Sequence, residues 1–199
     1  KGLDVLGKMT DGHVFLGMDA RGSKAPAEAF TKATGVVKRW FNGKHPVGNV
    51  GVQIHHTFPI VNEDVVWTLD VQAVITIGNL FLEGKLNTER LVAVAGAEVE
   101  KPCYVKTFCG ANIGQLLKNR LKGDQVRIIS GDVLTGQTKG EDQFLNFRDD
   151  QVTVVQEGDY YEMFGWLIPG SPRPSVSRTY PNFIFPDVKF KADTNTHGE

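Results

Sequence analysis

The strongest pattern of apolar and polar positions lies between Val71 and Glu83. There Val71, Val74, Ile75, Ile77, Leu80, Phe81 and Leu82 leave almost no polar face. This spacing predicts a helix sandwiched between neighbours rather than laid on a surface. Its β-branched content would also suit a buried strand, but length and punctuation favour a helix: Asp70 is placed as N-cap and Gly84 as the C-terminal stop. About 13 residues fall short of the roughly 20 needed to cross a bilayer. The next run, Arg90 to Gly96, has almost no alternation, as in strands covered on both faces, which sit mostly in parallel sheets. A strand over Val65–Leu69, this helix and a strand over Leu91–Ala95 together predict one right-handed βαβ unit.

Upstream, Leu3–Met9 has helical spacing, Asp11-Gly12 marks a turn, and His13–Met18 reads as a strand. Ala20–Thr34 is small and polar and reads as a surface loop; this loop or the Pro-rich tail is expected to fill the sheet crevice. Gly35–Asn42 is a strand candidate. Gly43–Gly51 is a glycine-rich bend, and Val50–Phe58 reads as a helix stopped by Pro59. Past Pro102 come a strand to Phe108, a helix opened by Asn112 with Gln115 three residues on, and strands over Val126–Ile129 and Gln151–Gln156. The last of these alternates and predicts a half-exposed strand. From Trp166 onward, recurring Pro and aromatic residues argue against long regular elements. The expected fold class is α/β: a Rossmann-like three-layer domain with a parallel sheet over residues 1–100, a small β-grasp domain over 101–157 and an extended tail over 158–199.

Composition narrows the function. With 22 basic and 23 acidic residues, nothing calls for nucleic acid or another polyanion. The chain opens on Lys-Gly and closes on Gly-Glu, which reads as a piece of a longer protein. Cys103 and Cys109, if on one strand, lie roughly 20 Å apart at about 3.3 Å per residue, beyond the ~7 Å limit for a disulfide. They read as buried free thiols.

Candidate chemistry is sparse. In a Rossmann-like layer the ligand position is the bend after the second strand, where a helix N-terminus offers N–H groups to an anion. That points to His45, Pro46 and Gly48, with His55 on the following helix, while Asp70 occupies the place where dinucleotide domains contact ribose. No G-x-G-x-x-G is present, and Asp70 is also accounted for as a helix cap. Adjacent His55 and His56 diverge by about 100° on a helix and cannot share a metal, so no metal site is expected. Ser130 and Ser175 lack a nucleophile-elbow context.

Four blocks carry a resemblance: Ile75 to Gly96 (I-x-I-G-x-L-F-x-x-G-K-L-N-T-E-R-x-V-A-x-A-G), His45-Pro-x-Gly48, Val126 to Gly136 (V-R-I-I-S-G-D-V-L-T-G) and Phe164 to Gly170. They are similar to the A subunits of Na+-translocating NADH:quinone oxidoreductases, with related blocks in the C subunits of Rnf complexes and, more remotely, in the flavin- and NADH-binding subunit of complex I. The resemblance covers essentially the whole chain. It implies a Rossmann-like domain followed by a soluble-ligand-binding β-grasp domain, and an internal fragment of a peripheral subunit on the cytoplasmic face of the bacterial inner membrane. The complex it implies couples NADH oxidation and quinone reduction to Na+ export. Its flavins (FMN, FAD, riboflavin) and iron–sulfur centres are expected in partner subunits, with no cofactor in this chain and no catalysis by it alone. Quinone contact is expected, if anywhere, at His45, Pro46, Gly48 and His55. The alternative from another class is a flavin- or dinucleotide-binding oxidoreductase domain.

Overall fold

Helix α1 (Gly2–Met9), strand β1 (Phe15–Asp19), the short helix α2 (Glu28–Thr31), strand β2 (Val37–Phe41), helix α3 (Val50–Thr57) and helix α4 (Val71–Glu83) follow one another in the computed structural model. Residues 1–161, 163, 184, 191 and 193–195 are described. The chain divides into two compact units, Lys1–Asn87 and Thr88–Glu199.

In the first unit β1 and β2 form a two-stranded parallel sheet, with Phe15 opposite Val37 and Asp19 opposite Phe41. Helix α3 rides over β1 at Gly17, where a Cβ would lie 2.5 Å from Gln53 Oε1 and 3.4 Å from the Phe41 ring. The Phe15 and Phe58 rings, 6.2 Å apart, tie the end of α3 to the same strand. Helix α4 forms over the bounds its pattern predicts. Asp70 Oδ1 accepts from the Ala73 N–H at 2.8 Å, and Gly84 closes the helix at φ 66°. It packs against α1 where Gly2 meets Val74 and Gly78, so close that a Cβ on Gly2 would lie 2.2 Å from the Val74 carbonyl oxygen.

Two expectations for this unit are corrected. Val65–Leu69 forms no strand and lies exposed, because no described strand offers it a ladder. Helix α4 is not sandwiched: Gly78 is its one buried residue, while Val71, Ile75, Leu80, Phe81 and Leu82 face outward.

The second unit holds strands β3 (Glu89–Ala95) and β4 (Cys103–Phe108), helix α5 (Ile113–Leu117), and strands β5 (Val126–Ser130), β6 (Gln137–Lys139) and β7 (Gln151–Gln156). The sheet order is β4-β3-β7-β5-β6, with β3 and β7 parallel and the other pairs antiparallel. Two outer hairpins flanking a parallel central pair, with a helix between them in sequence, make a β-grasp. On one face Val92, Val94, Ile128, Val152 and Val154 pack with Ile113, Leu116 and Leu117 of α5, joined by Val99 and Leu145. Helix α5 opens as its sequence predicts, with Asn112 Oδ1 accepting from the Gln115 N–H at 3.0 Å.

The second unit also revises the division of the chain. The strand over Leu91–Ala95, assigned by its apolar run to the first domain, is the first strand of the grasp. Its pairing with β4 spans Pro102, so the boundary falls between Asn87 and Thr88, not after residue 100. The residue pattern of β3 is inverted: Arg90 points inward with Val92 and Val94, whereas Leu91 faces out. The Arg90 guanidinium is accommodated by donating from Nη1 to the Phe147 carbonyl oxygen (3.1 Å) and from Nη2 to that of Arg148 (3.4 Å). Strand β7, expected to be half exposed, is the central strand, buried at four consecutive positions. Its Thr153 hydroxyl fits there because it donates to the Gly131 carbonyl oxygen at 2.7 Å. Cys103 and Cys109 are free thiols, half-buried rather than buried.

Most of the tail past residue 161 lies outside the described residues, including the Phe164–Gly170 block and the Trp166, Pro169 and Pro172 region. Near its end the tail meets the last residue of β7. Asp193 pairs in parallel with Gln156, and the Thr194 N–H donates to the Gln156 carbonyl oxygen at 3.1 Å.

Candidate functional site

In a parallel sheet the loops that follow the strands share one edge, and that edge is where open α/β sheets take ligands. Here it gathers the loop after β1 (from Ala20) and the bend after β2 (from Asn42), joined where the Ala20 N–H donates to the Phe41 carbonyl oxygen at 2.8 Å. The first loop lines an open cavity of about 480 Å³ through Asp19, Arg21, Gly22, Ser23, Lys24 and Pro26.

Asp19 and Arg21 fix the mouth of this loop. The guanidinium meets the carboxylate in a fork, Nε to Oδ1 at 2.9 Å and Nη2 to Oδ2 at 2.8 Å, and the Arg21 N–H also donates to Oδ1 at 2.9 Å. These bonds to the charged form hold the Asp19 carboxyl at about 2, against an ordinary 3.8. Lys24, the other cation lining the cavity, is not in any described salt bridge.

The bend after β2 places His45, Pro46 and Gly48 in one tight turn, entered through Gly43 at φ 151° and containing a cis peptide between His45 and Pro46. The Val47 N–H donates to the Lys44 carbonyl oxygen at 3.0 Å and the Asn49 N–H to that of Pro46 at 2.8 Å. Gln53 Nε2 donates to the Val47 carbonyl oxygen at 3.1 Å and anchors the turn to α3. Asn49, the N-cap of α3, makes no side-chain capping bond.

The remaining candidates stand apart from that turn. His55 lies in the last turn of α3, roughly 10 Å along the axis from Gly48 at about 1.5 Å per residue. Its ring is set edge-on to that of His56, 5.2 Å away and inclined by 78°. The Asp70 carboxylate is engaged as the cap of α4.

Sequence reasoning missed the Asp19–Arg21 fork. Its only signal was an acid and a base two residues apart at the end of a strand. It also left unseen a network in the second unit. There the Ser130 hydroxyl, fully buried, donates to Asp149 Oδ2 at 2.5 Å and accepts from the Asn146 N–H at 3.1 Å, while Asn146 Nδ2 donates to the same carboxylate oxygen at 3.0 Å. This group ties the end of β5 to the loop that precedes β7. In the loop that follows, Asp132 accepts the Thr135 hydroxyl at 2.8 Å and the Leu134 and Thr135 N–H groups at 2.7 and 3.0 Å, which lowers its pKa.

The two units match two family models. Residues 1–86 match the NqrA second alpha/beta domain, and residues 91–140 match the NQRA C-terminal domain, of SLBB type. Among curated proteins the chain is similar to the A subunit of the Na(+)-translocating NADH-quinone reductase of Shewanella frigidimarina, 41% identical over 99% of this chain and 43% of that protein. It is 37% identical to the same subunit of Vibrio alginolyticus over 99% of this chain and 43% of that protein. For Neisseria meningitidis serogroup B the identity is 36% over 100% of this chain and 44% of that protein. The chain therefore spans less than half the length of these relatives.

Proposed function

The chain belongs to the NqrA family, the A subunits of Na(+)-translocating NADH-quinone reductases, and from that premise we propose that it serves as a peripheral, non-redox part of a complex that oxidises NADH, reduces quinone and exports Na+. The observation that carries this reading is a collinear identity of 36–41% running through both folded units. Its place is the cytoplasmic face of the bacterial inner membrane, held there by the other subunits, which carry the flavins and iron–sulfur centres. None of the helices described is long and apolar enough to cross a membrane.

Within this reading the quinone contact lies at the His45–Gly48 turn. The support is chemical: the turn is at the ligand edge of the parallel pair, exposed and fixed by Gln53, and it presents an imidazole able to donate to a quinone carbonyl. His55 stands further along α3, and Asp70 fixes the start of α4, both apart from that contact. The test is photolabelling of the assembled reductase with a quinone analogue. Labelled peptides should include residues 43–49. Label confined to other subunits would leave this chain a docking part without quinone contact. Titration of the purified chain with FMN or NADH, followed by its visible spectrum, tests the non-redox assignment. Micromolar binding of either would overturn it in favour of a cofactor-binding oxidoreductase domain.

A further inference from the structure

The first unit leaves many of its large apolar side chains exposed. Within Lys1–Asn87 the buried apolar side chains are those of Val5 and Met18, beside a sheet of two strands, and two strands alone are marginal in water. From the end of α3 into α4 one stretch exposes Phe58, Ile60, Val65, Trp67, Leu69 and Ile75, with Trp67 89% accessible. Val65–Leu69 reads V-V-W-T-L, residue types that favour a pleated, half-buried surface, yet it has no strand partner among the described residues. A strand-patterned apolar segment left in the open is a template for pairing, and natural proteins cover such segments.

We propose that this surface is the open side of an unfinished domain core. Its cover is a β-strand, with apolar flanks, from the part of the NqrA polypeptide beyond these 199 residues. That strand pairs with Val65–Leu69 and packs over the outward side of α4. Two facts favour the same polypeptide over a separate one. The relatives extend well beyond this chain, which spans 43–44% of their length, so a large share of NqrA is available to supply the strand. The matched model for residues 1–86 is described as a second alpha/beta domain, a description that presupposes another in the same protein. A core of two buried apolar side chains also calls for an obligate partner, present from synthesis onward, more than for reversible docking. The proposal rests on the family membership and is independent of the quinone role.

Hydrogen–deuterium exchange on the purified complete reductase gives the first test. Amides 65–69 are expected to exchange at least about tenfold more slowly than those of the loop over residues 20–26, as paired strands do relative to open loops. Equal rates would overturn the proposal without any substitution. The second test replaces Trp67 in full-length NqrA by the photo-crosslinking aromatic p-benzoylphenylalanine, with Val65 as the alternative position should the first prevent assembly. Adducts are expected on NqrA peptides outside the present 199 residues. Adducts on other polypeptides of the reductase, or within the 199 residues themselves, would overturn it, and both results are read without reference to quinone binding.

Discussion

The two units of this chain handle their apolar residues in opposite ways. The grasp unit closes its own core: ten buried apolar side chains, including Val92, Ile113, Leu116 and Val154, meet between one sheet face and α5. Each such burial stabilises by roughly 1.5–3 kcal/mol. The first unit has α-helices and parallel strands of ordinary pattern but buries Val5 and Met18 alone, while its most apolar helix turns Ile75, Phe81 and Leu82 outward. Regular secondary structure is therefore no measure of a finished core. Independence comes from how the apolar faces are paired, and among the described residues the second unit pairs them more completely than the first.

The sharpest way to break this contrast is at Gly96, which ends β3 at φ 117° with its α-carbon against β7. An added Cβ would lie 2.0 Å from the Val154 carbonyl oxygen. Gly96→Val is expected to destabilise the grasp by roughly 3–5 kcal/mol, as backbone strain and overpacking add. Urea unfolding followed at Tyr104 and the grasp amides should show it, with the first unit's signals unmoved.

A matched pair of truncations comes next. Ile113→Ala, at a position with no accessible surface, is expected to cost about 2–5 kcal/mol by leaving a cavity. Ile75→Ala, at a position 56% exposed, should stay within about 0.5 kcal/mol in this chain. Denaturation midpoints of the two variants measure the difference between the units directly, and equal losses would contradict it. Within the first unit, Asp70→Ala removes the cap of α4 and is expected to cost about 1 kcal/mol, read as lost helicity by circular dichroism.

The smallest effect is titrational. Glu157 in the grasp accepts the Thr194 hydroxyl at 2.8 Å and a fork from Arg127, and these bonds lower its pKa from the ordinary 4.5. A carboxyl lowered in the folded state contributes stability above pH 4.5 and loses it as the pH falls through the folded value. Melting temperatures from pH 6 downward should therefore fall less steeply in Glu157→Gln than in the unaltered chain, with the two curves converging once the carboxyl is protonated.

How much of this was readable beforehand depended on whether a signal was local. Helix α4 and its two caps were legible because Asp70 and Gly84 act within one turn of the backbone they satisfy. The same holds for Asn112 and α5. The assignment of β3 failed because Arg90 sits inside and Leu91 outside, so the alternation that marks a one-faced strand was erased. Strand β7 misled in the converse way, since Thr153 looks like a solvent-facing residue until the Gly131 carbonyl oxygen is brought beside it by the fold. Val65–Leu69 carries strand residues without a strand, because propensity names a preference and only a neighbour supplies the ladder. For the candidate site, the His45–Gly48 turn was visible in its Gly and Pro residues. The Asp19–Arg21 fork was hidden in a loop whose composition says only that it is polar.

The pairing of β3 with β7 has a consequence for the ribosome. The two middle strands of the grasp are its first and last, so Ala93 meets Gln151 only after everything between them has been translated. Until then the nascent β3–β4 hairpin carries one bare side, and α5 has only part of the surface it will finally cover. The central pair of this unit is thus expected to close late and slowly, at a rate set by the long excursion between its partners.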